Sequence, residues 1–475
     1  MSIKAERVKS VRTALTAIFF LQGALGTVMI PRVPELIEQI DVNFTAWGAI
    51  LGFSGLGALV GLMYANRYIV RFGSRRVLEV SSVVSALLLV SLPFITNAWI
   101  FFLVQAAMAF TGSCFNIALN MQGVVLQKIL NRPIIGKFHA GWSIGAASSA
   151  ALNAVLATFM PMWLHFSLIP GIAAVVLYIA STRSLTAEEI GKSSERKPEK
   201  KSPFWKAPSQ LWLLSAGLFA GVFPEAAIMD WSAIFGKKIL GLDAGLSAVP
   251  YTVFIGAMII SRLSIGRLTR NRHVGVVSFW GGLFGSVAMG AGALLGPALA
   301  TQDPILGLTA TSFLWFLAGL GLGPMSPTFF SAAGYVKGLT TAQALARMSL
   351  ISSVLFMGGK FVMGAIAQDV NLVAAFMLPT ALFCIAGLIA GAMAKRAEAE
   401  KAAIEERVKH LRAELARRGG AEGRLETLAG SLGQEKDAAH AMATQADGNR
   451  NDFQLIAGNL KTMFQRIEQA STNVA

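Results

Sequence analysis

Long apolar runs recur through the first 394 residues, and short polar stretches separate them. Most runs reach about 20 residues, the length a helix needs to cross the hydrocarbon core of a bilayer. Lipid offers the backbone no hydrogen-bond partners, so a crossing segment must bond to itself, which here means a helix. The alternating pattern of a membrane β-barrel is missing from these runs. The pattern therefore predicts an all-α membrane protein.

The apolar runs predict twelve transmembrane helices, which we number as spans 1 to 12. Their expected bounds are roughly 13–31, 46–65, 77–96, 99–125, 139–159, 163–182, 209–235, 246–266, 274–294, 305–329, 345–368 and 371–394. A polar, basic, proline-bearing stretch at 183–208 separates six spans from six and is expected to be a cytoplasmic linker. The basic clusters 71–76 after span 2 and 266–272 after span 8 form a faint repeat. We therefore expect two pseudo-symmetric six-helix halves, 1–182 and 209–394.

Lysine and arginine are distributed very unequally between the two sides of this topology. The N-terminal tail and the loops after spans 2, 4, 6, 8 and 10, together with Arg347 at the start of span 11, hold 23 of them. The loops on the other side hold three, namely Arg32, Lys237 and Lys238. The positive-inside rule then places both termini in the cytoplasm. We expect a multi-pass protein of the inner membrane of a bacterium.

The net charge of +15 does not indicate a nucleic-acid partner, because the basic residues lie at the ends of apolar helices. The two cysteines, Cys114 and Cys384, lie inside apolar segments and favour packing over a disulfide or a zinc site. The chain shows no phosphate-binding loop, metal-ligand cluster or nucleophile elbow. We therefore expect neither a cofactor nor a metal, and not an enzyme.

The last 81 residues, 395–475, differ in character from the rest, because acidic and basic side chains are balanced there. Apolar residues recur at heptad-like spacing from Ile404 to Leu415 and again from Ile456 to Ile467. Each run is shorter than two heptads, and a sustained coiled coil needs more. We predict a helical, partly disordered cytoplasmic tail and leave open self-association through it.

The loop after span 2 resembles the loop signature of the major facilitator transporters, Gly-x-Leu-x-Asp-Arg-x-Gly-Arg-Arg. The residues that match are Arg71, Gly73, Arg75 and Arg76, while Val70 replaces the aspartate and Asn66 the first glycine. In that family the aspartate helps to latch the cytoplasmic side, and its replacement here weakens that implication. Plain topogenic arginines are the alternative interpretation.

Five further motifs resemble the YbjJ-like branch of bacterial major facilitator proteins. They are Arg32-Val-Pro34, Asn120-Met-Gln-Gly123, Arg132-Pro-Ile134, Phe138-His-Ala-Gly-Trp-Ser-Ile-Gly145 and Pro224-Glu-Ala-Ala-Ile-Met-Asp-Trp-Ser232. Gln127 replaces an acidic residue of that pattern, and Ala226 replaces a glycine. The resemblance covers about 10–394 and implies the major facilitator fold and secondary transport of a small solute. It names no solute.

Charged groups inside membrane helices are costly and by default suggest function. Glu225 and Lys360 lie too far from either membrane surface to escape easily, and Asp230 lies late in span 7. Arg262 is near enough to the end of span 8 for its side chain to reach the surface. His139, at the mouth of span 5, suits either a proton-handling role or a helix-start hydrogen bond, and we favour the latter. A lone His165 near the outer surface is expected to be structural.

Polar side chains also lie where spans should face a central cavity. They are Gln22, Asn116, Asn120 and Asn153, and hydrogen bonding between helices is as good an explanation as solute contact. Span 10 contains Gly319, Gly321, Gly323, Pro324 and Pro327, which predict an interrupted helix beside the cavity.

The chain is thus expected to be a secondary active transporter working by alternating access and coupled to protons, with Glu225 the first candidate carboxylate and Asp230 the second. The alternative is a non-transporting sensor or scaffold acting through its tail. Glu225 and Lys360 lie about 24 and 22 Å along their predicted helices, which predicts an ion pair between them. Arg32 and Asp230 are expected to form an outer gate. Trp231 is expected either to seal that gate or to lie in the interfacial aromatic belt.

Overall fold

The computed structural model describes residues 5–130, 134–190, 208–270, 272–334, 336, 339 and 341–417. Twelve helices in this part of the chain are long and apolar enough to cross a membrane. Their bounds are Glu6–Gln39, Phe44–Phe72, Ser74–Phe94, Ala98–Leu130, Ile135–Phe159, Met162–Ser181, Ser209–Lys238, Ala244–Leu268, Val274–Ala300, Pro304–Ala333, Gln343–Asp369 and Leu372–His410. The prediction of a twelve-helix membrane protein is confirmed. The expected motif residue Arg132, most of the linker and residues 418–475 of the tail lie outside the described residues.

Most spans are longer than the apolar runs that predicted them, because polar turns extend the helices beyond the apolar stretch. The helix of span 1 is interrupted after Leu25, and a 3-10 turn, Ile30–Arg32, leads into its last part, Val33–Gln39. Span 10 is interrupted as expected, with one helix ending at Leu322 and the next beginning at Met325. Gly323 and Pro324 lie at the break, where proline cannot continue the hydrogen-bond ladder.

Consecutive spans run in opposite directions, so the twelve spans have two common ends. We call the end at which span 1 begins the near face and the opposite end the far face. Apart from the contact of span 2 with span 11, spans 1 to 6 pack mainly among themselves, as do spans 7 to 12, which gives the two six-helix halves of the fold. Close backbone packing at glycine holds each half together: a Cβ on Gly145 would lie 2.0 Å from the Phe20 carbonyl oxygen, and one on Gly281 would lie 2.5 Å from that of Gly321.

The two halves meet mainly toward the far face. Span 2 packs on span 11, span 5 packs on the start of span 8, and the far ends of spans 1 and 7 are in contact. The backbones approach closely, since a Cβ on Gly52 would lie 2.5 Å from the Met357 carbonyl oxygen and one on Gly245 would lie 2.9 Å from that of Ala154. The far face is therefore closed.

The chain after span 6 is fastened to the near face of the N-terminal half. Gln122, fully buried in span 4, donates to the Leu185 carbonyl and accepts from the Leu185 amide, each at 2.9 Å. Arg7 of span 1 pairs with Glu189 at 2.8 Å and also donates to the carbonyl of Arg183. The segment 182–190 is thus bound to spans 1 and 4.

Acidification should release the Glu189 end of this segment. The hydrogen bond from Arg7 lowers the pKa of the Glu189 carboxyl below its ordinary value. A lowered pKa means that the contact contributes its full stability above the ordinary carboxyl pKa and loses it as pH falls through the lowered one. A spin label at the exposed neighbour Glu188 should become more mobile in that acidic range. In Arg7→Gln the label should be mobile at every pH. If the mobility of the wild-type label does not change in acid, this prediction is wrong.

Candidate functional site

Four charged side chains deep in the C-terminal half form two ion pairs. Arg262 Nη2 of span 8 lies 3.1 Å from Glu225 Oε2 of span 7. Lys360 Nζ of span 11 lies 2.7 Å from Asp230 Oδ2, also on span 7. Span 7 therefore carries both carboxylates, and each one is neutralised by a different neighbouring helix.

The predicted pairing of Glu225 with Lys360 is wrong. The helix of span 11 begins at Thr341, four residues earlier than its apolar run predicted. Lys360 then lies about 28 Å along its helix, between Glu225 at about 24 Å and Asp230 at about 31 Å along span 7. Lys360 therefore pairs with Asp230, and Glu225 pairs with Arg262. The Arg262 side chain extends toward span 7 instead of toward the near surface.

The two pairs differ in their access to solvent. Asp230 is the most buried member, with 9% of its side chain exposed, against 21% for Glu225 and 31% for Arg262. Asp230 Oδ2 is buried, and Lys360 Nζ is the group that contacts it. Tyr251, buried at the start of span 8, lies within electrostatic range of both carboxylates. Asp230 is thus the less accessible of the two carboxylates, and it lies against Lys360.

Aromatic rings cover the nearby surface of spans 7 and 11. The rings of Phe219 and Phe356 stand perpendicular with centroids 5.2 Å apart, and Phe223 lies 5.1 Å from Phe219. A Cβ on Gly359 would lie 2.7 Å from the Phe223 ring, so glycine is needed for the rings to pack here. Phe219 and Phe356 stay partly exposed and give the C-terminal half an apolar surface beside its charges.

The N-terminal half contributes neutral polar groups to the centre of the bundle. Asn116 and Asn120 are accessible and hydrogen-bonded to each other at 2.8 Å. They lie on the strip of span 4 between Ser113, which contacts span 2, and Gly123, which approaches Phe19 of span 1. Gln22 is half-buried, and its amide has no hydrogen-bond partner among the described residues. These three residues remain candidates for solute contact.

Asn153 does not line a cavity, contrary to the prediction. It is fully buried and lies 2.6 Å from Nε2 of His165, which is equally buried. Arg32 donates from Nε to Nδ1 of that ring at 3.3 Å and also to the Met160 carbonyl. Nδ1 must then be an acceptor, so the ring is neutral and carries its proton on Nε2. The chain of contacts joins spans 1, 5 and 6 at the far end of the N-terminal half.

The expected outer gate between Arg32 and Asp230 is therefore wrong. Arg32 pairs with Glu35, one turn along its own span, at 2.7 Å, and only 3% of Arg32 is exposed. The guanidinium, at the end of the 3-10 turn Ile30–Arg32, has its other partners, His165 and the Met160 carbonyl, in its own half. A different ion cluster joins the halves on the far surface: Glu38 lies 3.1 Å from Lys237 and 3.0 Å from Lys238. Lys237 and Lys238 are adjacent lysines on the side of the topology that has few of them, and this sequence feature could have predicted the cluster.

Trp231 is fully buried where the halves meet, not in an interfacial belt. Its ring packs edge-on against Phe44, the first residue of the span 2 helix, with centroids 5.9 Å apart. The Phe44 amide donates to the side chain of Gln368 on span 11 at 3.1 Å. A Cβ on Gly364 would lie 2.5 Å from the Phe44 carbonyl oxygen. The start of span 2 thus sits in a socket, which we define as Phe44 and its contacts Trp231, Gly364 and Gln368.

The residues of the near-face loop act locally in this conformation. Gly73 has φ +81°, which favours glycine, and it separates spans 2 and 3. Arg75 pairs with Glu79 on its own helix, Arg71 lies over the Phe72 ring, and Arg76 is exposed. His139 is exposed and packs edge-on against Phe19.

The expected helix-start hydrogen bond of His139 is not seen in the described part of the chain. Gln127 takes that place, accepting from the amides of Ile134 and Ile135 at the start of span 5. The described residues contain no group of three or more His, Cys, Asp or Glu side chains able to hold a metal ion.

Comparison with known proteins agrees with this architecture. The sequence model of the Major Facilitator Superfamily matches residues 15–338. An uncharacterized transporter of Sinorhizobium fredii is 26% identical over 368 residues, which are 76% of this chain and 92% of that protein. An uncharacterized MFS-type transporter of Yersinia pestis is 24% identical over 75% of this chain and 89% of its own length.

Solved structures share the fold at low sequence identity. A mutant form of the nucleoside transporter NupG superposes with a TM-score of 0.65 at 11% identity, over 81% of this chain and 99% of its own. A bacterial homologue of the lysosomal transporter Spinster, in an inward-facing and occupied conformation, gives 0.63 at 14% identity, over 83% and 98%. A D-xylose-proton symporter gives 0.59 at 14%, over 81% and 97%.

Proposed function

The chain belongs to the Major Facilitator Superfamily and is a multi-pass membrane transporter, and we propose that it moves a small solute by proton-coupled alternating access, without changing it chemically. The observation that carries the proposal is the presence of two carboxylates within span 7, each held by a cation from another helix. Charged side chains in a membrane interior are costly, and a carboxylate that takes up and releases protons during transport is a functional reason to keep one there. The motifs around Arg32, Asn120 and Asp230 support placement in the YbjJ-like branch.

The two halves, 1–182 and 209–394, are the bodies that rock in this proposal, with 183–208 linking them. The charge asymmetry supports a cytoplasmic near face in a bacterial inner membrane. With the far face closed, the described conformation then corresponds to one open to the cytoplasm. Asn116, Asn120 and Gln22 contact the solute from one side of the cavity, and the aromatic surface of Phe219 and Phe356 contacts it from the other.

Glu225 is the first candidate for the coupling proton, because it is partly exposed and lies nearer the open face than Asp230. When Glu225 is protonated, Arg262 loses its counter-ion and is free to contact the solute or to move with span 8. Return of the proton to the cytoplasm restores the pair and releases the solute. The near-face residues Arg71 and His139 have no part in this step.

The proposal is tested by uptake into proteoliposomes. A solute is first found by thermal-shift screening of the purified protein, since a ligand of the native state raises its apparent stability. Uptake of that solute should accelerate when a pH gradient is imposed. In Glu225→Gln the acceleration should be lost while exchange of solute between equal pools persists. Equal acceleration in wild type and variant would remove Glu225 from the coupling step, and a bound solute that never crosses the membrane would sink the transport proposal.

The tail, 395–475, is not required for transport in this proposal. Its first part continues the span 12 helix without a break to Arg417, and Val408 on it is buried. Deleting 397–475 should therefore leave uptake unchanged. We propose self-association as the tail's role, to be measured by comparing the mass of full-length and truncated protein in detergent.

A further inference from the structure

Lys360 takes part both in the ion pair with Asp230 and in the contact between the two halves. Its side chain reaches Asp230 on span 7 at 2.7 Å. Its backbone faces the other half, since a Cβ on Gly48 of span 2 would lie 2.7 Å from the Lys360 carbonyl oxygen. One residue therefore contacts the titratable carboxylate with its side chain and the opposite half with its main chain.

The residue after Asp230 makes the complementary contact. Trp231 packs on Phe44 of span 2, and Gly364, one turn beyond Lys360, approaches the Phe44 backbone. The socket around the start of span 2 is thus formed by residues of span 7 on one side and of span 11 on the other. We call these two sides its walls. The Asp230–Lys360 pair is the charged contact that joins these two walls directly beside the socket.

The closed socket leaves two polar atoms beside Asp230 without partners. Trp231 Nε1 and Ser232 Oγ belong to consecutive residues, both fully buried, and neither makes a hydrogen bond in the described structure. An unsatisfied buried polar atom costs about 1–3 kcal/mol. Water would reach these atoms if span 2 left the socket, so opening the far face recovers part of this cost.

Other charges around Asp230 already have partners. On span 8, Arg262 is paired with Glu225, and the buried Tyr251 lies within electrostatic range of both carboxylates. On the far part of span 1, Arg32 is held by Glu35 and His165. Span 10 (304–333), span 12 up to residue 394 (372–394) and the first part of span 2 (44–53) carry no charged side chain. Lys360 is the cation that balances Asp230.

We propose that Asp230 and Lys360 form a proton-sensitive lock on the socket, so that protonation of Asp230 frees Lys360, lets spans 7 and 11 separate and releases span 2. This rests on the proposed transport function and adds to it the site where a proton opens the far face. Glu225 then serves the solute step, and Asp230 serves the gate. Trp231, Gly48 and Gly364 act as positioning residues, because they shape the socket without taking up the proton.

The lock is tested by distance measurement on the full chain in lipid nanodiscs. Spin labels replace two exposed far-face residues, Thr96 in the N-terminal half and Gln302 in the C-terminal half, with both native cysteines changed to alanine. Pulsed electron-spin measurements then give the distance distribution in a series from about pH 8 down to about pH 3, which spans the ordinary pKa of an aspartate. The wild-type distribution should shift to longer distances in acid. Asp230→Asn and Lys360→Met should each show the long distances at every pH.

Glu225→Gln is the matched control, because it neutralises the other carboxylate of span 7 and should keep the acid-induced shift. Melting curves of each variant show that it is folded. A shift that persists in Asp230→Asn overturns the lock and leaves transport standing. A wild-type distance that does not respond to pH also overturns it, as does loss of the shift in Glu225→Gln alone. Failure of transport itself appears separately, in the uptake assay.

Discussion

Gly364→Ala should hold the far face open and reduce solute uptake by one to two orders of magnitude. The added methyl would lie 2.5 Å from the Phe44 carbonyl oxygen and 2.9 Å from the Cα of Gly48. Both are backbone atoms, so no side chain can turn aside to make room. Overpacking of this kind costs about 1–3 kcal/mol, which is a factor of roughly 5 to 150 in the population of the closed state. Alternating access needs that state in every cycle.

Gly358→Ala is the matched control for this prediction. Gly358 lies on the same helix six residues earlier, and a Cβ there would meet nothing within 4 Å. Any effect of the substitution on helix propensity is shared by both variants. Uptake and the label distance between Thr96 and Gln302 should be normal in Gly358→Ala. If both variants behave alike, the close approach of spans 2 and 11 is not needed for closure.

Arg32→Gln should destabilise the protein by about 3 kcal/mol without opening the far face. The guanidinium donates to His165 and to the Met160 carbonyl and pairs with Glu35, while nearly all of its surface is buried. Hydrogen bonds that involve a charged group are worth about 1.5–3 kcal/mol each, and a glutamine cannot replace all three. The loss should appear as a lower melting temperature in detergent.

The label distance separates this structural role from a gate. In Arg32→Gln the far-face distribution at neutral pH should match the wild type, because the polar partners of Arg32 all lie in its own half. Arg75→Gln is the control, since the Arg75–Glu79 pair is partly exposed and its loss should cost much less stability. A distance distribution that lengthens in Arg32→Gln would restore the gate that the sequence suggests.

The spans can be predicted from the sequence because a bilayer imposes one simple requirement, an apolar run about 20 residues long. The partners of buried charges cannot. Hydropathy pairs Lys360 with Glu225 because it starts span 11 at its first apolar residues, whereas a polar turn before them moves the lysine nearer to Asp230. Helix ends depend on local polar contacts that hydropathy does not contain. One turn is enough to exchange partners.

The direction of a side chain is equally hidden. Arg32 and Asp230 have similar depths, and depth alone favours their pairing. The 3-10 turn at Ile30–Arg32 rotates the arginine toward His165, and nothing in the pattern of apolar residues marks such a turn. The polarity of Asn153 suggests a cavity, yet this residue lies in the same buried network. The glycines that allow spans 2 and 11 to touch carry no hydropathy signal at all.

The unbroken helix from span 12 to Arg417 also acts as a rigid spacer. Residues 395–417 extend it by about 34 Å, which is comparable to the thickness of the hydrocarbon core itself. Whatever follows Arg417 is therefore attached at a stand-off distance from the last apolar turn. A fluorescent protein or an affinity tag fused beyond that residue would not press against the bundle, so the C-terminus is the better end for labels that must leave helix movements undisturbed.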